Sequence, residues 1–436
     1  MTARVICGDV AEMCATLDAD SFDAVLCDPP YGLSFMGRKW DYEVPDAALW
    51  RSVLRVCKPG AHLIAFSSAR TYHRAAVQIE DAGFDIRDCI AWMYGSGFPK
   101  SLDVSKALDA ASGAKREKIG NGTAGLGKGS NGPAHEGGYG ASYAITAPAS
   151  DAAKEWDGYG TALKPAFEPA VLARKPLDGT VAANVTKWGT GALAIDASKI
   201  EGPTNGSSWG GVQSSPIGYA GNVPSGFTTE MNAGGRWPSN VLLDEEAGAL
   251  LDAQSGESDA QPVGDWGTLG SRKSGVHFGD SGGASRFFYC AKASRWEREL
   301  GCSGLPLRSP ADVTGSKDGQ ARLDSPRTGA GRTSGARNHH PTVKPLALTR
   351  YLARLIRPPR PVRILVPFAG SGSEMIGCVL EGWPEVVGIE REAAYVEIAS
   401  ARLRLAAENP RAFEPDVERG DAADERQKDL FAEAGS

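Results

Sequence analysis

Two stretches of this chain, residues 4 to 99 and 340 to about 405, alternate short apolar runs with helical stripes, and a glycine-rich middle separates them. That alternation limits the fold more than any other feature. Strands buried on both faces read as unbroken apolar runs, and strands that alternate with helices build a parallel sheet covered on both sides. In the first stretch Val5-Ile6-Cys7 runs into Gly8-Asp9, and a helix is predicted through Met13 and Leu17. Ala24-Val25-Leu26-Cys27 is a second buried run. Trp50, Val53, Leu54 and Cys57 share one helix face, and Lys58-Pro59-Gly60 is predicted to stop that helix. His62-Leu63-Ile64-Ala65-Phe66 reads as a strand. Ala75, Ala76 and Ile79 mark a helix ended by Gly83, and a further strand is predicted through Ile86, Ile90 and Trp92.

The pattern resumes near residue 340. Leu348, Tyr351, Leu352, Leu355 and Ile356 form a helical stripe that Pro358-Pro359 ends. Ile364-Leu365-Val366 is a strand, Met375, Ile376, Val379 and Leu380 follow at helical spacing, and Glu385-Val386-Val387-Gly388-Ile389 is the next strand. A last helix is predicted from Ala394 to Leu405. The two ends therefore read as halves of one α/β sheet. The middle is rich in Gly, Ser and Asn, notably over 119 to 142 and 202 to 235, yet it carries Tyr139, Tyr143, Trp156, Tyr159, Trp188, Trp209, Trp237 and Trp266. A purely disordered segment is poor in aromatics, so a loop-rich domain is predicted there.

Two sites follow from these placements. Asp28-Pro29-Pro30-Tyr31 directly follows a buried strand, and open α/β sheets bind ligands beyond the carboxyl ends of their strands. Phe368-Ala369-Gly370-Ser371-Gly372 lies between a strand and a helix, where glycines allow a tight turn and close approach of a ligand. Glu390 ends the following strand, at the spacing from Gly370 that lets an acid bond two ribose hydroxyls. Together they predict a nucleoside-bearing ligand.

The early aspartate motif and the late glycine turn, in this order, resemble the circularly permuted amino-methyltransferases of DNA, the β group. The run from Tyr31 to Asp41 resembles the loop of their phage and prophage members. The resemblance implies a Rossmann-like S-adenosylmethionine methyltransferase fold of α/β class, circularly permuted, with an inserted loop-rich target-recognition domain. Residues 1–99 would be the catalytic half, 100–335 the target-recognition insertion, 336–409 the cofactor-binding half, and 410–436 an acidic tail.

The cofactor implied is S-adenosylmethionine. Phe368, Ala369, Gly370, Ser371, Gly372 and Glu390 match its glycine turn and acid, and Asp9 matches a position near the adenine. His340, Pro341, Thr342, Lys344 and Pro345 match a segment that helps enclose the methionine part. Two departures stand out: Val366 occupies a position where the family usually has Asp, and Glu374 replaces a small hydroxyl residue.

Asp28, Pro29, Pro30 and Tyr31 would be catalytic. An amino group on a base is a poor nucleophile because its lone pair is delocalised into the ring. The Asp28 carboxylate and the Pro29 carbonyl can each accept one N–H and favour a pyramidal nitrogen, while the prolines fix the backbone and Tyr31 stacks on the base. Aspartate at the first position is typical of adenine N6 enzymes and serine of cytosine N4 enzymes. Cytosine N4 transfer remains an alternative, as does a protein that binds S-adenosylmethionine and DNA without turnover, to which Val366 points.

Double-stranded DNA is the partner implied, and its target base must be flipped out of the stack to react. Lys39 and Trp40 are candidates for DNA contact or closure, and Tyr94 and Phe98 for stacking on the base. The net charge of −6 runs against a basic nucleic-acid footprint. Positive charge nevertheless gathers in two segments, one with Arg272, Lys273, Arg286, Lys292 and Arg295, the other with Arg350, Arg354, Arg357, Arg360 and Arg363. In the acidic tail Gln427, Leu430 and Phe431 belong to a pentapeptide resembling the one by which bacterial proteins bind the replication sliding clamp. The family also implies a homodimer as one form. The cysteines number 8 and show no paired metal-ligand spacing, so free thiols and no metal site are predicted. The first residues lack a signal peptide and no apolar run reaches membrane-spanning length, which predicts a cytoplasmic protein.

Overall fold

The two ends of the chain meet in one nine-stranded sheet of order β1-β11-β10-β2-β3-β7-β4-β8-β9. In this computed structural model the described residues are 2–33, 41–95, 97, 101–123, 142–200, 235–257, 282–291, 296–308, 336–360 and 362–414. The strands are β1 (Thr2–Cys7), β2 (Phe22–Cys27), β3 (Cys57–Phe66), β4 (Asp85–Met93), β7 (Phe167–Arg174), β8 (Val241–Asp244), β9 (Tyr289–Ala291), β10 (Arg363–Pro367) and β11 (Glu385–Glu390). A separate antiparallel pair joins β5 (Lys118–Thr123) to β6 (Ser142–Thr146). The helices are α1 (Val10–Thr16), α2 (Ala47–Val56), α3 (Tyr72–Asp81), α4 (Val104–Ser112), α5 (Asp151–Glu155), α6 (Val181–Trp188), α7 (Glu245–Ser255), α8 (Leu346–Leu355), α9 (Ser373–Leu380) and α10 (Ala393–Glu408).

Alternate residues of each central strand enter opposite cores. Ala24 and Leu26 of β2, with Ile364 and Val366 of β10, join a core that includes Leu348, Leu352, Met375 and Ile376 of α8 and α9. Val25, Cys27 and Leu365 point the other way, into a core with Cys14, Trp50, Val53 and Ile79 of α1, α2 and α3. Side chains that alternate across a strand explain why these runs are apolar throughout: each face has its own helices to cover. Each fully buried Leu or Ile contributes roughly 1.5–3 kcal/mol. The fold is thus α/β with helices on both faces, a Rossmann-like layering.

The sheet is mixed where a parallel one was expected. β7 runs antiparallel to both β3 and β4. Its apolar run Ala170-Val171-Leu172-Ala173 fills the centre between them. This strand, with β8 and β9, comes from the middle of the sequence. The chain divides into two compact units, the first of residues 1–95, 167–303 and 340–436, the second of residues 96–166 and 304–339. Short apolar runs of the middle, such as 170–173, thus belong to the large sheet. Phe413, in a 3-10 turn over Pro410–Phe413, is buried in the core of the first unit. Cys57 is not on the α2 stripe but opens β3, because α2 ends at Val56.

The second unit is organised around Asp109, on α4. Its carboxylate accepts bonds from Arg116, from the backbone N–H groups of Ala149 and Ser150, and from the Ser150 hydroxyl. Among the described residues no helix is long and apolar enough to cross a membrane.

Candidate active site

Strand order sets the place of the site. β10 lies between β11 and β2, all three parallel. From β10 the chain passes through α9 to β11 on one side, while β2 leads through α2 to β3 on the other. A crevice opens beyond the carboxyl ends of strands where the order reverses in this way. Three loops leave the sheet there: Asp28-Tyr31 after β2, Phe368-Gly372 after β10, and the segment after Glu390 of β11. Gly8-Asp9, after β1, lies alongside, with the Gly8 N–H donating to the Glu390 carbonyl at 3.0 Å.

The glycine turn is held in an unusual backbone conformation. Phe368, Gly370 and Gly372 have φ of 60°, 51° and 82°. The left-handed region costs a side chain roughly 1–2 kcal/mol, so two of these positions suit glycine and Phe368 is strained. The Phe368 ring meets Trp50 edge-on at 6.2 Å. Ala369 N–H donates to the Ile389 carbonyl. The Glu390 carboxylate accepts the Gly370 N–H on one oxygen and the Glu392 N–H on the other, both at 2.8 Å. Burial pushes its pKa up. Val366 is fully buried within β10, so no carboxylate stands where the resemblance implies one.

Arg402 of α10 braces the turn from below, a role that the sequence did not disclose. It is fully buried, and one guanidinium nitrogen donates to the Ser371 carbonyl at 2.6 Å, to Ser371 Oγ at 3.2 Å and to Ser373 Oγ at 3.1 Å. Its other terminal nitrogen donates to the Glu297 carbonyl.

His340 to Pro345 closes over the turn. A Cβ on Gly370 would lie 2.8 Å from His340 Nε2. The His340 ring packs edge-on against Tyr395 at 4.6 Å, its Nδ1 faces the Thr342 carbonyl, and the Arg298 guanidinium donates to the His340 carbonyl. Burial lowers the His340 pKa to about 4, so the ring is neutral at physiological pH. Pro341 follows in this segment, and Pro345 is the N-cap of α8, whose first N–H, that of Leu346, donates to Glu297. Asp9 caps α1, its carboxylate accepting the Ala11 N–H at 2.8 Å.

Lys344 turns toward the other motif. Its ammonium donates to Asp28 Oδ2 at 2.7 Å and to the Tyr31 hydroxyl at 3.0 Å, and pairs with Glu168 Oε2 at 3.2 Å. The Tyr31 hydroxyl lies 2.7 Å from Asp28 Oδ1 and 3.0 Å from Glu168 Oε2. Burial disfavours the ammonium, but Asp28 and Glu168 outweigh it and raise the Lys344 pKa. Burial and the same two carboxylates raise the Tyr31 pKa. The loop after Pro30 is pinned by Asp41, whose carboxylate accepts the N–H groups of Tyr31, Gly32 and Leu33. Glu374, at the start of α9, is buried nearby, and burial followed by the Asp28 charge pushes its pKa up to about 7.

Glu168, Asp41 and Arg402 escaped the sequence reading. Glu168 precedes the buried run of β7 and faces the same edge as Asp28 because β7 runs against its neighbours. An acid immediately ahead of an apolar run was its only signal. Tyr94, at the end of β4, stacks obliquely on Trp92 at 5.3 Å. Burial, then Glu168, pushes its pKa up to about 12. Ser34 to Trp40, Phe98 and the tail from 415 lie outside the described residues, and with them Lys39, Trp40, Gln427, Leu430 and Phe431.

The arginine segment 350–363 is committed to internal partners. Arg350 and Arg354 both pair with Glu381, Arg357 donates to the Gly382 carbonyl, Arg360 to the Val185 carbonyl, and Arg363 pairs with Glu385. These charges hold α8 and β10 in place, which corrects their reading as positive charge available for DNA.

No protein-family model matches the chain, and no curated protein matches it. Among solved structures it is similar to M1.HpyAVI, with 12% identity and a TM-score of 0.37 over 93% of this chain and 100% of that one. It is also similar to the M1.HpyAVI-SAM complex, with 14% identity and a TM-score of 0.36 over 92% and 100% of the two chains. A third is the PvuII DNA methyltransferase, described as cytosine-N4-specific, with 10% identity and a TM-score of 0.39 over 92% and 86%.

Proposed function

We propose that this chain transfers a methyl group from S-adenosylmethionine to the exocyclic amino group of a base flipped out of double-stranded DNA, with adenine N6 as the acceptor. One observation carries the reading: β10 and β2 are adjacent and parallel, so the glycine turn and Asp28-Pro29-Pro30-Tyr31 leave the same sheet edge at the reversal of strand order. Two motifs far apart in sequence thereby share one crevice.

The residues present fit the cofactor. The left-handed glycines leave the turn bare of side chains at Gly370 and Gly372, so a ligand can approach the backbone. Each Glu390 oxygen accepts one N–H and keeps a lone pair for a ribose hydroxyl. His340, packed against Tyr395, walls the turn and would help to hold the methionine part. When bound, the sulfonium supplies an electrophilic methyl group.

The remaining steps belong to this chain. Asp28 and the Pro29 carbonyl accept the two amino protons and free the nitrogen lone pair. With the cofactor held at the turn, the freed lone pair would take the methyl group as the carbon–sulfur bond breaks, which would leave a neutral thioether. Asp28 stabilises the positive nitrogen until a proton departs. Holding the two reactants in contact supplies much of the rate. Aspartate rather than serine at position 28 is what favours adenine over cytosine.

The test is methyl transfer from labelled S-adenosylmethionine to unmethylated DNA, followed by sequencing that detects modified bases. Label in N6-methyladenine supports the reading, and label in N4-methylcytosine changes the acceptor. Asp28→Ala is expected to lose transfer at least about a hundredfold while retaining the cofactor. A normal rate in that variant, or cofactor binding with no transfer to any DNA, rejects the assignment.

A further inference from the structure

We propose, resting on the methyl-transfer reading, that Glu168 is a positioning residue that takes Lys344 from Asp28 when the acceptor base arrives, unmasking the catalytic carboxylate. Without a base, both oxygens of Asp28 are occupied. Oδ2 accepts the Lys344 ammonium and Oδ1 lies within bonding distance of the Tyr31 hydroxyl, each at 2.7 Å. An incoming amino group must displace a charge-assisted bond, which is about twice as strong as a neutral one.

Lys344 cannot simply withdraw into water. Its side chain is 7% exposed, and a buried ammonium that loses its only anion is strongly destabilised. Glu168 supplies the second anion. Its Oε2 is already 3.2 Å from the ammonium, so a shift of less than about an ångström completes a normal ionic hydrogen bond. The path between the two carboxylates crosses an aromatic floor, since the ammonium lies 4.8 Å from the centre of the Phe66 ring and 5.4 Å from that of Tyr31. Such faces hold a cation without fixing it to one point. The anchors at either end are rigid. Asp28 follows β2, and Glu168 lies within β7, where it pairs with Trp92 of β4. Lys344 has three N–H donors and no acceptor, so it can shift its weight from one carboxylate to the other without an unsatisfied lone pair.

This role predicts coupling between Glu168 and Lys344 that simple packing would not produce. Single-turnover methyl transfer to unmethylated DNA would be measured for wild type, Glu168→Gln, Lys344→Met and the double variant, each checked for folding by circular dichroism. Glu168→Gln is expected to slow transfer at least about tenfold, with the cofactor Kd and the KM for DNA changed less than about twofold. In the Lys344→Met background the same change should cost less than about twofold, because no cation remains to be drawn away. Glu168→Asp, which keeps the charge, should recover most of the rate and serves if the glutamine variant does not fold. Equal losses from Glu168→Gln in both backgrounds, or a Glu168→Gln variant at the wild-type rate, would overturn the proposal. A wild-type chain that transfers no methyl group overturns both readings, whereas transfer with additive losses overturns this one alone.

Discussion

The backbone N–H of Arg363 donates to Asp23 Oδ2 at 2.7 Å, although the two residues are 340 positions apart. Asp23 is almost fully buried in β2, and its other oxygen accepts Lys58 Nζ at 2.6 Å. The first residue of β10 is thereby fastened to the early part of the chain at the strand pair that aligns the two motifs. Asp23→Ala leaves an N–H and an ammonium without their acceptor. It is expected to lower stability by about 2 kcal/mol. Urea unfolding would read this as a lower midpoint at unchanged slope, and an unaltered midpoint would show the joint to be dispensable.

Gly370 tests the glycine turn. Its φ of 51° disfavours a side chain, and a Cβ would lie 2.8 Å from His340 Nε2. His340 has little room to yield, being packed against Tyr395. Gly370→Ala should weaken S-adenosylmethionine binding about tenfold or more, as measured by calorimetry. Gly113→Ala is the control. It carries a similar strain, at φ 70°, but meets nothing within 4 Å, so cofactor affinity should not change.

Much of this arrangement was legible locally. Ala24-Val25-Leu26-Cys27 and Ile364-Leu365-Val366 announce buried strands because both faces of the sheet are covered. Asp28 and Gly370 sit in contiguous motifs, so their placement after strands follows directly. Glu168 was hidden because its role depends on the sense of β7, which no residue of β7 encodes. Arg402 and Arg404 look alike on α10, yet one is fully buried under the glycine turn and the other exposed, a difference set by packing alone. The arginines from 350 to 363 resembled a nucleic-acid face because Glu381, which pairs with two of them, lies in the loop after the next helix.

Two buried carboxyls make stability depend on pH. Glu297 and Glu374 are both pushed from 4.5 up to about 7, in each case chiefly by burial. Each holds its proton more tightly when folded, so its stabilising contribution is complete below 4.5 and vanishes as pH rises through about 7. His62 and His340 act in the opposite sense. Burial lowers both from 6.5 to about 4, so their contribution is present above 6.5 and lost as pH falls through about 4. The double variant Glu297→Gln/Glu374→Gln keeps the histidines, which cancel in the difference from wild type. It should gain stability relative to wild type between about pH 5 and about pH 8. Unfolding midpoints across that range would check it, and a difference independent of pH would show that neither carboxyl titrates there.

Arg402 links the fold to the cofactor. Its guanidinium joins the Ser371 carbonyl, the Ser371 and Ser373 hydroxyls and the Glu297 carbonyl, so one side chain ties the glycine turn, the start of α9 and the segment that caps α8. Glu374 and Glu297 lie close enough for their charges to oppose the burial penalty that lowers its pKa. Arg402→Met removes this guanidinium from under the turn, and should cost about 3 kcal/mol by leaving the buried Ser371 and Glu297 carbonyls without their donor. Arg402→Lys separates charge from geometry. A lysine restores the cation but presents a single ammonium, which cannot span the Ser371 and Glu297 carbonyls as the planar fork does. That variant is expected to fold, with a lowered melting temperature, and to bind S-adenosylmethionine about tenfold more weakly than wild type. Wild-type affinity in Arg402→Lys would mean that the turn keeps its shape through Glu390 and its own glycines, with the guanidinium serving stability alone.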